Sequence, residues 1–240
     1  MEQIDIKELK NWIAPYLTVN GTHPQISSEL REQNIIEYFK QLTIPNVFES
    51  YAIILHSFWI YDTTADRIKE NNLKGINIES YNNDFPEEEY RAVKWAEFYN
   101  YRNMAFNLAA AIKENVEWNR SFKQMNNEIW PGEGLIDIDI LNTVSQIIIR
   151  MFGEQIIDAY YIFMATINYD NDEMYRGKLS ELISFLKSYN SRLTPSLIYE
   201  IESKWAITSD FDLPFSIIGG NNALIRELVK THKDQIYIIE

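Results

Sequence analysis

The sequence predicts an α+β fold: a helical N-terminal half, then a small, mostly antiparallel sheet with covering helices in the C-terminal half. Three observations carry this reading. Apolar residues before position 130 recur mainly at helical spacing. After 134, short β-branched and aromatic runs alternate with turn signals and helical stretches. Between the halves, "WPGEG" at 130–134 sets one proline and two glycines within five residues, which marks a break. The chain reads as a single α+β domain over 1–240, with a mainly helical lobe at 1–130 and a mixed lobe at 134–240. Its 240 residues suffice to bury a sizeable core.

Residues 5–17 space Ile6, Leu9, Ile13 and Leu17 as one face of a helix, with Trp12 and Tyr16 beside them. "PQISSELREQNIIEYFKQL" offers Ser27 or Ser28 as an N-cap ahead of Leu30, Ile35, Ile36 and Phe39. "SYAIILHSFWIYD" at 50–62 is continuous, β-branched and aromatic, and reads as a buried strand; a short helix is the alternative. Residues 62–86 are polar and Asn-rich, a long loop or insertion. After Pro86 an acidic first turn, good helix formers, and Trp95 and Phe98 on one face predict a helix.

In the second half, "DIDILNTVSQIIIRMF" is a helix capped by Asp137 or Asp139. "DAYYIFMATINY" reads as a central strand, followed by the turn-rich "DNDEMYRG". "KLSELISFL" favours helix, "KWAITSD" and "LPFSIIGG" strands, "NNALIRELVKTH" a helix and "QIYIIE" a last strand. Too few strand–helix–strand units are present for a doubly wound sheet, and no solenoid repeat is visible.

Composition narrows the partners. Net charge is −13, from 22 basic and 35 acidic side chains. That surface repels phosphate backbones and anionic bilayers, so neither nucleic acid nor membrane is expected as a partner. A basic protein partner fits, because opposite fields speed encounter and fix orientation. There is no cysteine, which excludes disulfides, thiolate metal sites and a cysteine nucleophile. The N-terminus lacks a signal-peptide pattern, and the longest apolar stretch, residues 159–167, is far below the roughly 20 residues a spanning helix needs. The expected location is cytoplasmic.

Standard chemistry finds little footing. Only His23, His56 and His232 occur, none at zinc-site spacing. His56 is the most interesting of them: a catalytic or switch role and a buried, backbone-bonded role both fit its letters. No GxSxG elbow is present. Gly219-Gly220 precedes a helix as an anion-binding turn would, but no GxGxxG or P-loop surrounds it, and Asn221 or Asn222 as N-cap explains the same stretch. An EF-hand template started at Asn168 places Asp170 and Asp172 well, yet Glu173 takes the glycine position and Leu179 the bidentate glutamate position. The best carboxylate pair is Asp210 and Asp212. On a continuing strand, i,i+2 spacing puts both on one face within reach of one cation; in a turn, Asp210 caps the chain instead. No cofactor is expected.

Several segments occur in an order that resembles an uncharacterised bacterial family: "YAIILHSFWI", "VKWAEFY", "GEGLIDIDIL", "YYIFMATINYDND" and "KWAITSDFDLPFSIIGGNNALIREL". That family carries Tyr-x-x-x-Leu-His-Pro, an aromatic strand ending in Trp-Asp-Gly, and Trp-x-Val-x-x-Asp-x-Asp running to Gly-Gly-Ser and a helix. The resemblance spans roughly 50–230 and is specific at 205–228. This chain departs from it at Ser57, at "NYDND" and at Asn221. The family supplies no activity; its general look is similar to small α+β proteins that neutralise bacterial toxins. The sequence therefore favours a non-enzymatic, cytosolic, protein-binding factor of toxin-immunity type. The alternative is a metal-dependent enzyme or small-molecule binder using Asp210 and Asp212, with His56 as a further candidate.

Overall fold

The computed structural model describes residues 1–13, 16, 26–61, 90–117, 122–125, 127–189 and 193–239. They divide into two compact units, one formed by Met1–His56 with Gly132–Glu240 and the other by Ser57–Pro131. The loop expected at 62–86, and His23, lie outside the described residues.

The first unit is built on an eight-stranded sheet in the order β1-β7-β6-β8-β9-β10-β2-β11. Its strands are β1 (Glu2–Ile4), β2 (Ser50–Leu55), β6 (Ile156–Tyr161), β7 (Glu173–Lys178), β8 (Leu197–Glu200), β9 (Ala206–Thr208), β10 (Phe215–Gly220) and β11 (Ile236–Ile239). Every neighbouring pair is antiparallel. The central strands are buried on both faces, so they carry apolar residues at successive positions, as in Tyr51–Leu55, rather than in alternation.

One face packs on α5 (Ile138–Phe152), α6 (Leu182–Tyr189) and α7 (Asn222–Thr231). Ala52, Ile54, Ile157, Ile198, Ile207 and Ile218 point there, meeting Leu141, Val144, Ile148, Leu224 and Leu228. The other face is covered by the N-terminal segment and by α2 (Ile35–Thr43), which follows the short helix α1 (Ser28–Gln33). There Phe39 meets Phe215 edge-on, and Trp12 meets Tyr199 and Phe48. Buried Asp158 on β6 is held bidentately by Arg176 of β7, at 2.7 and 2.9 Å.

The second unit holds a three-stranded sheet, β4-β3-β5, from β3 (Phe58–Tyr61), β4 (Tyr90–Val93) and β5 (Glu128–Ile129). With it go α3 (Trp95–Tyr101) and α4 (Leu108–Val116). Phe58 stacks flat on Phe98 at 3.8 Å. Fully buried Glu128 accepts from Arg102 Nη1 at 2.9 Å and from the Met125 amide at 3.0 Å.

The expected helical N-terminal half with a small C-terminal sheet is overturned. Among the described residues, five of eleven strands precede position 130, the main sheet has eight strands, and the helices are spread along the chain. Of the helix expected over 5–17, the described residues form a 3-10 turn at Ile6–Glu8, preceded by edge strand β1, and residues 14, 15 and 17 lie outside the described residues. The single strand expected over 50–62 is two strands in two sheets, broken at His56-Ser57. "EEEYRAVKW" contains good helix formers, yet Tyr90–Val93 pairs with β3, because sheet pairing overrides local propensity. Most of the expected turn at 170–177 is strand, since β7 runs from Glu173 to Lys178, and Leu197–Glu200 adds the unforeseen β8.

Candidate functional site

The antiparallel register brings the C-terminal ends of β2, β6 and β9 to one end of the large sheet, beside the starts of β7, β8, β10 and β11. Tyr160 pairs with Leu197, Leu197 with Thr208, Thr208 with Ile217 and Leu55 with Phe215. His56, Asp210 and Asp212 all follow directly from these ends, so all three singled-out residues sit at the same end of the sheet.

His56 is almost fully buried, just past β2. Its amide donates to Pro214 O at 3.2 Å, anchoring the exit from β2 to the start of β10. Its Nδ1 lies 2.6 Å from Gly132 O and its Nε2 2.9 Å from Ser216 Oγ, which is 2.9 Å from Ser209 Oγ. A carbonyl only accepts, so Nδ1 carries the proton and Nε2 accepts from Ser216. A hydroxyl has a single proton, so Ser209 then supplies the proton for the last bond. Burial pushes the imidazole down to about 4, partly countered by the bond to Gly132 O. The ring is neutral at pH 7 and fastens three chain segments together.

Ser209 extends this chain of bonds along the sheet end. Its amide donates to Ser196 O at 2.9 Å, and Ser196 Oγ accepts from the Ile162 amide at 3.3 Å. Ser196, Ser209, Thr208 and Asp210, with Tyr16 and Ile13, line a recess of about 60 Å³, room for one or two waters.

The aspartates form a turn rather than a strand face. Asp210 Oδ1 accepts the Asp212 amide at 2.9 Å, and Asp210 O accepts the Leu213 amide at 3.1 Å. This is a side-chain-capped turn between β9 and β10. Asp210 is half-buried and Asp212 exposed. Among the described residues no group of three or more His, Asp or Glu is arranged to hold a metal ion. Gly134 passes beneath the turn at φ +65°, donating to Leu213 O at 3.0 Å; a Cβ there would meet Phe211 Cα at 2.8 Å. Only glycine fits both the backbone conformation and the close approach.

Gly219 and Gly220 are the last residues of β10, not an anion-binding turn. Phe48's ring occupies the space a Cβ on Gly219 would need. The start of α7 is satisfied by the chain itself: Asn221 Oδ1 accepts the Leu224 amide at 2.8 Å, and Glu49 accepts the Asn222 amide at 3.1 Å. The place a phosphate would take holds a carboxylate.

Sequence reasoning missed a solvent-exposed feature at this end, the β6–β7 connection. Asp172 accepts from the Tyr160 hydroxyl and from the Phe163 amide, both at 2.7 Å, closing the base of the loop. Burial and Asp172 push the Tyr160 hydroxyl well above its usual range, so that proton stays in place. The EF-hand-like aspartate thus ties down a loop. From this base Phe163 (43% exposed), Met164 (40%), Ile167 (51%) and Tyr169 (62%) face solvent, while Ala165 and Thr166 turn inward. The signal available in the sequence was an apolar run that outlasts its strand and continues into "INYDND".

No helix among the described residues is long and apolar enough to cross a membrane. No protein-family model, curated protein or solved structure matches the chain.

Proposed function

We propose that the chain is a non-enzymatic, cytosolic protein-binding factor, of the kind that neutralises a toxin by capping it, and that its partner is basic. The observation that carries this reading is the charge of one sheet end. Segments 132–136, 161–175 and 205–216 hold Glu133, Asp170, Asp172, Glu173, Asp210 and Asp212 without a Lys or Arg, while the turn into β11 at the same end adds Lys233 and Asp234. Such a predominantly acidic surface on a chain of net charge −13 attracts cationic proteins and speeds their encounter.

The groups at this end that could support chemistry are engaged in holding it together. His56 joins three segments and Asp210 closes a turn. A rigid, acidic sheet end suits recognition, because little ordering is lost when it binds.

The test is capture from a lysate of the source cells on the immobilised chain at about 50 mM salt, followed by a salt gradient. The expected result is one or a few basic proteins retained at low salt and released by about 0.5 M. Retention of nothing, or of the same proteins by an unrelated chain of equal net charge, contradicts the proposal.

A further inference from the structure

We infer that the β6–β7 connection is the docking element of this sheet end, and that it packs against an apolar face bordered by Lys and Arg side chains on a partner protein. The inference rests on the protein-binding reading above and specifies its surface.

Apolar side chains exposed singly are ordinary on any protein, whereas a cluster marks a contact surface. Of the eleven large apolar side chains exposed among the described residues, four lie within seven residues of this one connection. They are not there because the loop is slack. Two hydrogen bonds to Asp172 close its base, Ala165 N donates to Ile162 O at 2.7 Å, and Thr166 Oγ donates to Phe163 O at 2.8 Å. A built turn therefore holds Phe163, Met164, Ile167 and Tyr169 outward. An aromatic and apolar centre with a polar rim is the anatomy of a protein contact.

The rim decides the occupant. Exposed Asp170 follows directly, and exposed Asp212 stands on the neighbouring turn. A second copy of the chain would set these carboxylates against their own equivalents, each copy bringing a net charge of −13. Nucleic acid fails on the same sign. An apolar face rimmed by cations satisfies both parts of the surface at once.

The probe is a labelled amphipathic helical peptide with a leucine face flanked on both sides by lysines, followed by fluorescence anisotropy. A lysine-only peptide of equal charge serves as comparison. Three double variants are compared with the parent: Phe163→Ser with Ile167→Ser, Met164→Ser with Tyr169→Ser, and Tyr101→Ser with Met125→Ser, the last pair being exposed apolar residues of the other unit. All six side chains are solvent-exposed, and unchanged thermal midpoints establish that the variants fold. The expected result is at least about a tenfold loss of affinity for the leucine–lysine peptide in both loop variants, none in the third, and no change toward the lysine-only peptide. Equal affinity in all variants overturns the docking element while leaving capture of basic proteins standing. Failure of the parent to bind either peptide or any lysate protein at low salt overturns both readings. Sedimentation of the free chain as a dimer that the loop variants dissociate would assign the surface to a second copy and overturn the inference.

Discussion

Acidification should unfasten the sheet end at a single residue. His56 is held at about 4 in the folded chain, against the ordinary histidine value of 6.5. Between these values the unfolded chain takes up a proton at this position and the folded chain does not, so stability falls as pH falls. The stabilisation is complete above about pH 6.5, declines below it, and is gone below about pH 4. The difference of 2.5 units, at about 1.36 kcal/mol per unit, amounts to about 3 kcal/mol. That is a large part of a typical total stability of about 5–15 kcal/mol. Carboxylates titrate over the same range, so the informative quantity is the difference between the parent and His56→Gln, measured by urea unfolding from pH 7 to pH 4. His56→Gln should lose stability at pH 7 yet fall less steeply with acid, the gap narrowing by about 3 kcal/mol across the window. Parallel curves would refute the assignment. So would a His56 imidazole seen by NMR to titrate near its ordinary value.

Asp210→Ala should cost about 1 kcal/mol through the lost turn bond, and Asp212→Ala no more than about 0.5 kcal/mol, both read by urea unfolding. With the turn reading, millimolar Mg²⁺, Mn²⁺ or Ca²⁺ leaves the thermal midpoint unchanged; a rise abolished by Asp212→Asn would establish a cation site instead. Arg102→Leu strands the fully buried Glu128 carboxylate and should cost about 3–5 kcal/mol, more than Arg102→Leu combined with Glu128→Leu. Gly134→Ala forces a Cβ against Phe211 at a positive φ and should cost upwards of about 1 kcal/mol, with the loss concentrated in faster hydrogen exchange at 210–213.

The stretch from 205 onward was legible because its local signals agree: two short apolar runs, an Asp-rich turn and an Asn-capped helix became β9, the turn, β10 and α7. The long helix at Ile138–Phe152 was legible for the same reason. The first half was misread where tertiary pairing decides. Nothing between Leu55 and Phe58 punctuates the sequence, since the break at His56-Ser57 is made by bonds to Gly132, Pro214 and Ser216, as many as 160 residues away. Edge strand β1 is three residues long and carries no pattern of its own; its register on β7 defines it. At the candidate site the sequence supplied His56, Asp210 and Asp212 but not their partners. Ser209 and Ser216 are unremarkable letters whose hydroxyls matter only because β9 and β10 bring them within 2.9 Å of each other. The two roles weighed for the aspartates share one spelling, and the turn bond from Asp210 to the Asp212 amide separates them.

The most direct measurement is hydrogen exchange of the intact chain, free and in complex with the protein it captures at low salt. Protection confined to amides of 162–173 and 209–213, lost together with binding in the Phe163→Ser, Ile167→Ser variant, is the predicted result. Protection elsewhere, with these two turns unchanged on binding, would contradict the assignment of function to this end of the sheet.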